Sequence, residues 1–174
     1  MRIYTVGFTK KTARTFFGLL GDSGATSLID VRLNNVSQLA GFAKRDDLSF
    51  FLTELCGMHY SHQIALAPTQ QMLDDYKKHG LSWAEYESRF RGLMSERQIE
   101  ESLSPSALDN AVLLCSEDKP HQCHRRVVAE YLQEYWEGVE IVHLGELSSP
   151  PKRRATRPAA CPPDSVSTWA EDLT

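Results

Sequence analysis

Polar and apolar positions alternate over residues 2–6 (RIYTV), stop at Gly7, and predict a first β-strand. The period then lengthens: Thr9 or Thr12 can cap a helix whose apolar face is Phe16, Phe17, Leu19 and Leu20, with Gly21 and Gly24 to end it. Residues 27–31 (SLIDV) form a second strand, and strand, helix, strand at these lengths is a βαβ unit of a parallel sheet. Asp46 or Asp47 caps a helix carrying Leu48, Phe50, Phe51, Leu55 and Cys56, closed by Gly57, and a short strand follows at 58–61. Helical spacing returns at 70–79 and again at 82–97, and a short turn is expected at 104–108. In the second of these helices Trp83, Tyr86, Phe90 and Leu93 form a stripe that reads as packing surface rather than as a base-stacking platform. A buried strand at 111–114, a crossover helix at 123–136 and a last strand at 139–144 complete the pattern. The fold class is α/β, a three-layer, mostly parallel sheet with helices on both faces, Rossmann-like in outline.

Two stretches break the rhythm. Residues 33–47 (LNNVSQLAGFAKRDD) read as a long surface loop in which Leu39 and Phe42 favour order, and so a functional role. From residue 145 onward lie five of the eight prolines, with Lys152, Arg153, Arg154 and Arg157 among Ala, Ser and Thr. Such a segment has too little apolar surface to offset its ordering entropy, so the chain divides into one domain at 1–144 and a disordered tail at 145–174.

Composition narrows the possibilities further. A net charge of −4 argues against a protein that coats nucleic acid by bulk positive charge, and no apolar run reaches the eighteen residues of a membrane span. With no secretory signal, a cytoplasmic setting is expected, where Cys56, Cys115, Cys123 and Cys161 stay reduced. Thiol chemistry or metal binding are then stronger readings than disulfides, although Cys56, among apolar neighbours, reads as core. No cofactor is expected.

The chemistry concentrates in AVLLCSEDKPHQCHRRVVAEYL, residues 111–132. Cys115 ends an apolar strand, at the edge where open parallel sheets place their ligand sites. A nucleophilic thiol must be partly ionised at neutral pH, which calls for nearby positive charge or a helix start. Cys123 and His124 stand at such a start, an arrangement that depresses a thiol pKa and attracts anions. Arg125, Lys119, Gln38 and, across the cleft, Arg32 are candidates for holding an anion, while Glu117, His124 and Asp30 are candidates for proton transfer or for orienting arginines. Cys115, His121, Cys123, His124 and His143 also suit zinc. The Cys-x7-Cys-His spacing lacks the usual C-x2-C knuckle, however, and adjacent Cys and His at a helix start are expected to point apart.

Taken together, TVGFT (residues 5–9), IDVR (29–32), FL-x-x-L-C-G-x-x-Y (51–60), LAPT (66–69), W-x-x-Y-x-x-x-F (83–90) and LLCSE followed by CHR resemble the bacterial and archaeal family catalogued as domain of unknown function 488. The resemblance covers about residues 1–144 and implies a compact α/β domain. Asp30, Arg32, Cys115, Glu117, Cys123, His124 and Arg125 fall at its signature positions; it implies no activity. A looser likeness is to rhodanese-type sulfurtransferases, which pair an IDVR-like strand end with a later strand-end cysteine in a Cys-x5-Arg loop. Here the sixth residue after Cys115 is His121, and arginine comes only at Arg125, so the persulfide mechanism does not transfer.

The leading expectation is an enzyme acting on an anionic, phosphate-bearing substrate, a nucleotide or nucleic acid, through Cys115 or Cys123. Two alternatives stand beside it: a non-catalytic nucleotide or nucleic-acid binding module using the same arginines, and a metal-binding protein with Cys/His ligands. The sequence leaves the oligomeric state open.

Overall fold

The computed structural model of the chain describes residues 1–36 and 40–145. Gln38, Leu39 and, beyond Gly145, the segment expected as a tail lie outside the described residues. Five strands, β1 (Arg2–Gly7), β2 (Ser27–Asp30), β3 (His59–His62), β4 (Ala111–Cys115) and β5 (Glu140–His143), form one wholly parallel sheet in the order β3-β2-β4-β1-β5. β4 therefore lies between β1 and β2, where the doubly wound dinucleotide-binding order sets β1 directly beside β2. Every residue of β4 is buried, as a central parallel strand covered on both faces requires.

Strand parity sorts the side chains into two cores. Tyr4, Val6, Leu28, Val112 and Leu114 face α1 (Ala13–Ser23) and α2 (Arg45–Phe51), meeting Phe16, Phe17, Leu20 and Leu48. Ile3, Ile29, Ala111 and Leu113 face the other layer. That layer contains α3 (Gln70–Lys78), α4 (Trp83–Glu96), two short helices, α5 (Ile99–Ser102) and α6 (Pro105–Leu108), and α7 (His124–Tyr135). Cys115 shares the parity of Ala111 and Leu113, so its sulfur belongs to the α7 side of the sheet.

Local signals explain most helix ends. Thr12 caps α1 by accepting a hydrogen bond from the Thr15 N–H at 3.1 Å, and the helix ends at Gly24 rather than Gly21. α2 begins earlier than Asp46 and Asp47 suggested: Lys44 is its N-cap, and the two aspartates sit in the first turn, where their charge suits the helix dipole. Its continuation over Leu52–Cys56 widens to a π turn before Gly57, at φ 63°, closes it. Ser82 and Glu85 form a reciprocal capping box on α4. Arg126 of α7 bonds both Glu87 of α4 and Glu130, and Arg91 of α4 bonds Glu134 of α7, so an ionic seam ties the helical excursion to the crossover helix.

The segment after β2 is ordered over its described part. The Arg45 N–H donates to the Asn35 carbonyl at 2.9 Å, Asn35 Nδ2 donates to the Tyr60 hydroxyl, and Phe42 packs against Phe16 and Phe17. Among the described residues no helix is long and apolar enough to cross a membrane.

Candidate active site

Parallel strands deliver their residues to one carboxyl edge, and β4 places Cys115 there, opposite the first turn of α7. Cys115 is 3% exposed and His124 is 9% exposed. Cys115 Sγ lies 3.5 Å from His124 Nδ1, and His124 Nε2 lies 2.9 Å from the carbonyl oxygen of Val31. A carbonyl only accepts, so Nε2 carries a proton and Nδ1 is the atom turned to sulfur. Phe90 closes one side of the imidazole edge-on, with ring centroids 5.9 Å apart.

The electrostatics of the pair follow from this geometry. Burial pushes the Cys115 thiol up, but hydrogen bonding from Cys123, the positive charge and N–H of His124 and the backbone N–H of Glu117 together outweigh it and hold the thiol well below its ordinary value. Burial likewise pushes His124 down, and the Cys115 thiolate with the Val31 carbonyl reverses the sign and raises it. Each group thus favours the charged form of the other.

Cys123 behaves in the opposite way. It is the N-cap of α7, one of the two thiols the sequence offers as nucleophile; burial, then its hydrogen bond to Cys115 and the negative charge on that sulfur, push it well above the ordinary value against the pull of Arg125. The expectation that adjacent Cys123 and His124 point apart is also corrected. Cys123 is in extended backbone (φ −140°, ψ 133°) and His124 in the helix, and this change of conformation turns both side chains to one spot. The ligating atoms of Cys115, Cys123 and His124 lie within 4.8 Å of one another.

The loop after Cys115 is clamped from three sides. Arg125, 2% exposed, donates through Nη1 to the Glu117 carbonyl at 2.6 Å and to Cys123 Sγ at 3.1 Å, and through Nη2 to the Asp118 carbonyl at 3.2 Å. Thr9 donates to the Ser116 carbonyl through both its N–H and its hydroxyl, and Lys11 pairs with Asp118 at 2.5 Å. Gly7, the register partner of Cys115, leaves room for the Glu117 carbonyl: a Cβ there would stand 1.7 Å from that oxygen. TVGFT and CHR are thus two halves of one device that fixes residues 116–118.

Asp30 and Arg32 make a second buried pair beside this centre. Arg32 Nε and Nη2 donate to the two Asp30 carboxylate oxygens at 2.7 and 2.5 Å, and Nη2 also reaches the Ala43 carbonyl. Tyr60 donates its hydroxyl to Asp30 at 2.8 Å, and burial together with that carboxylate pushes its own pKa up to about 12. Nη1 of Arg32 is buried without a partner among the described residues.

A cleft of about 240 Å³ opens over Cys115, Cys123 and His124. Arg32 and Asn34 border it on the β2 side, Glu117 and Gln122 on the loop side, and Tyr76, Trp83 and Tyr86 on the side of α3 and α4. Of the residues singled out from sequence, Cys115, Cys123, His124, Arg32 and Glu117 therefore meet at one cleft. Asp30 and Arg125 support it from within, and Lys119 is exposed on a neighbouring hollow. Gln38 lies outside the described residues. His143 bonds Thr5 Oγ1 at 2.8 Å on the β1–β5 side of the sheet, and Cys56 is half-buried near the Phe17 carbonyl. The aromatic stripe packs as expected, with Tyr86 and Phe90 in the core, and it also walls the cleft through Trp83 and Tyr86. Tyr76, Gln122 and the Val31 carbonyl had no signal in the sequence as members of the site.

An α/β domain with an acidified thiol and an imidazole at the carboxyl edge of a parallel sheet is the class these features define. Residues 12–132 match the family model described as Domain of unknown function DUF488, and the chain belongs to that family. No curated protein and no solved structure matches the chain.

Proposed function

We propose that the chain is a cysteine-dependent enzyme in which Cys115, as thiolate, attacks an electrophilic centre of an anionic substrate. The observation that carries this reading is the 3.5 Å approach of Cys115 Sγ to His124 Nδ1 at the base of an open cleft, with the imidazole oriented through Nε2 by the Val31 carbonyl. In the attack, sulfur supplies the electron pair for a new bond to the substrate, and the departing group takes the proton from His124 Nδ1. Arg32 Nη1, buried and unpartnered at the rim, offers a fixed donor to a negative group of the substrate. Glu117, exposed at the same rim, supplies a carboxylate for a second proton transfer.

Convergence of Cys115, Cys123 and His124 supports a second reading, a zinc-type centre with three protein donors and a fourth position toward the cleft. One experiment separates the two. In a Cys56→Ser, Cys161→Ser background, iodoacetamide labelling of Cys115 followed by mass spectrometry should reach its plateau rate well below the ~8.5 of an ordinary thiol. His124→Gln should return the titration toward that ordinary value. Labelling of Cys115 only at alkaline pH would defeat the nucleophile reading. Resistance to labelling that a chelator relieves, with stoichiometric zinc in the purified protein, would establish the metal reading instead.

A further inference from the structure

A second hollow, of about 430 Å³, adjoins the first: Tyr76, Lys77, Glu117 and Gln122 border both. Its remaining rim includes Lys10, Lys119 and His121. Lys11 is committed to Asp118, but Lys10, Lys77 and Lys119 have no ion-pair partner among the described residues. Asp118 also lines the hollow, where Lys11 pairs with it and the charges of Lys10 and Lys119 act on it; against Glu117 and Asp118 the four lysines leave the space net positive, which favours entry of an anion. Lys10 is also held at φ 59°, a left-handed conformation disfavoured for a side chain with a Cβ. The neighbouring bonds keep it there: the Lys11 N–H to the Phe8 carbonyl at 3.3 Å, and Thr9 to the Ser116 carbonyl. The clamp that fixes the loop beside Cys115 thus also sets Lys10 at the rim of the outer hollow.

We propose that this outer hollow is a phosphate-binding subsite, which holds a phosphate ester of the substrate while a different group of the same molecule reaches Cys115 in the inner cleft. The inference rests on the reading of Cys115 as nucleophile and makes it more specific. Phosphorus is the handle and not the centre attacked, so sulfur bonds to another atom of the substrate and the phosphate ester survives the step. Lys10, Lys77 and Lys119 are binding residues in this scheme. The ester can belong to a small molecule with a terminal phosphate or to a nucleic-acid strand, and the two are distinguished by experiment.

Two measurements test the proposal on the full chain. First, Cys115 labelling by anionic iodoacetate is compared with labelling by neutral iodoacetamide. A Lys10→Gln, Lys77→Gln, Lys119→Gln variant should lower the iodoacetate rate about tenfold relative to the iodoacetamide rate. A control with the same charge change at exposed sites away from the hollow, Arg2→Gln, Arg14→Gln, Arg45→Gln, should leave both rates alone. Second, calorimetry with inorganic pyrophosphate and with a short oligonucleotide lacking terminal phosphates should show salt-sensitive binding of one of them, lost in the lysine variant. Pyrophosphate binding assigns a terminal phosphate; oligonucleotide binding assigns a strand. Binding of neither probe, or an equal fall of the iodoacetate rate in the control, overturns the subsite. Slow iodoacetamide labelling of the unsubstituted protein at neutral pH would instead defeat the nucleophile, while pyrophosphate binding would still report on the hollow.

Discussion

Asp30 has no solvent exposure, and both its carboxylate oxygens are taken up by Arg32 and Tyr60. A carboxylate so fully bonded is a positioning group: it fixes the guanidinium whose remaining nitrogen, Nη1, borders the cleft. Removing one member of a buried pair leaves the other charge uncompensated, which is far costlier than losing both. Asp30→Asn should therefore destabilise the fold by about 3 kcal/mol, and Asp30→Asn with Arg32→Met should recover part of it. Urea denaturation checks this; an Asp30→Asn variant within ~1 kcal/mol of the parent would mean the pair anchors nothing. At this scale the sequence was partly legible. IDVR placed an acid and a base two residues apart at a strand end, and Tyr60 closes the FL-x-x-L-C-G-x-x-Y block, but nothing in the chain joined that hydroxyl to an acid thirty residues away.

Among the elements, β1 and β4 end side by side, and the closeness of Gly7 to the Glu117 carbonyl is what lets the 116–118 loop fold back over the sheet edge. Gly7→Ala would drive a methyl group into a backbone oxygen, so the loop must move. The expected outcome is a loss of about 3 kcal/mol together with a return of Cys115 labelling toward alkaline pH. Gly18→Ala in α1, where nothing lies within 4 Å of the added carbon, should gain roughly 0.5–1 kcal/mol and leave labelling unchanged. Thermal melts and labelling of the two variants separate the roles of these glycines. Helix ends set by side-chain caps, such as Thr12 and Ser82, are readable from local chemistry. The start of α2 at Lys44 was not, because no side chain caps it and the turn before it is fixed by the Asn35 carbonyl.

For the whole molecule, the sheet divides two cores: Cys115 and His124 lie on the α7 side, and Arg32 touches Phe8 and Ala43 of the other core. Phe16 packs in the α1 and α2 layer, whereas Phe90 packs in the α7 layer with its ring edge-on to His124. Phe16→Leu and Phe90→Leu should each cost about 1–2 kcal/mol in urea denaturation, but only Phe90→Leu should shift the pH profile of Cys115 labelling. Equal profiles would show that the imidazole is held without help from its own layer. The three-layer parallel architecture was legible because β4 is apolar throughout and the helical stretches carry one-sided stripes. Insertion of β4 between β1 and β2 was not, since strand order depends on long-range pairing that periodicity does not encode. The same gap hid the aromatic wall: Trp83 and Tyr86 looked like packing and are packing, and the topology also brings them to the cleft.

The imidazole of His124 is aimed by main chain, through the Val31 carbonyl, and not by an acidic side chain. Such an aiming group has no codon of its own. Any side chain that fits the buried position 31 brings the same carbonyl with it, so a substitution there tests packing and not the aim of the ring.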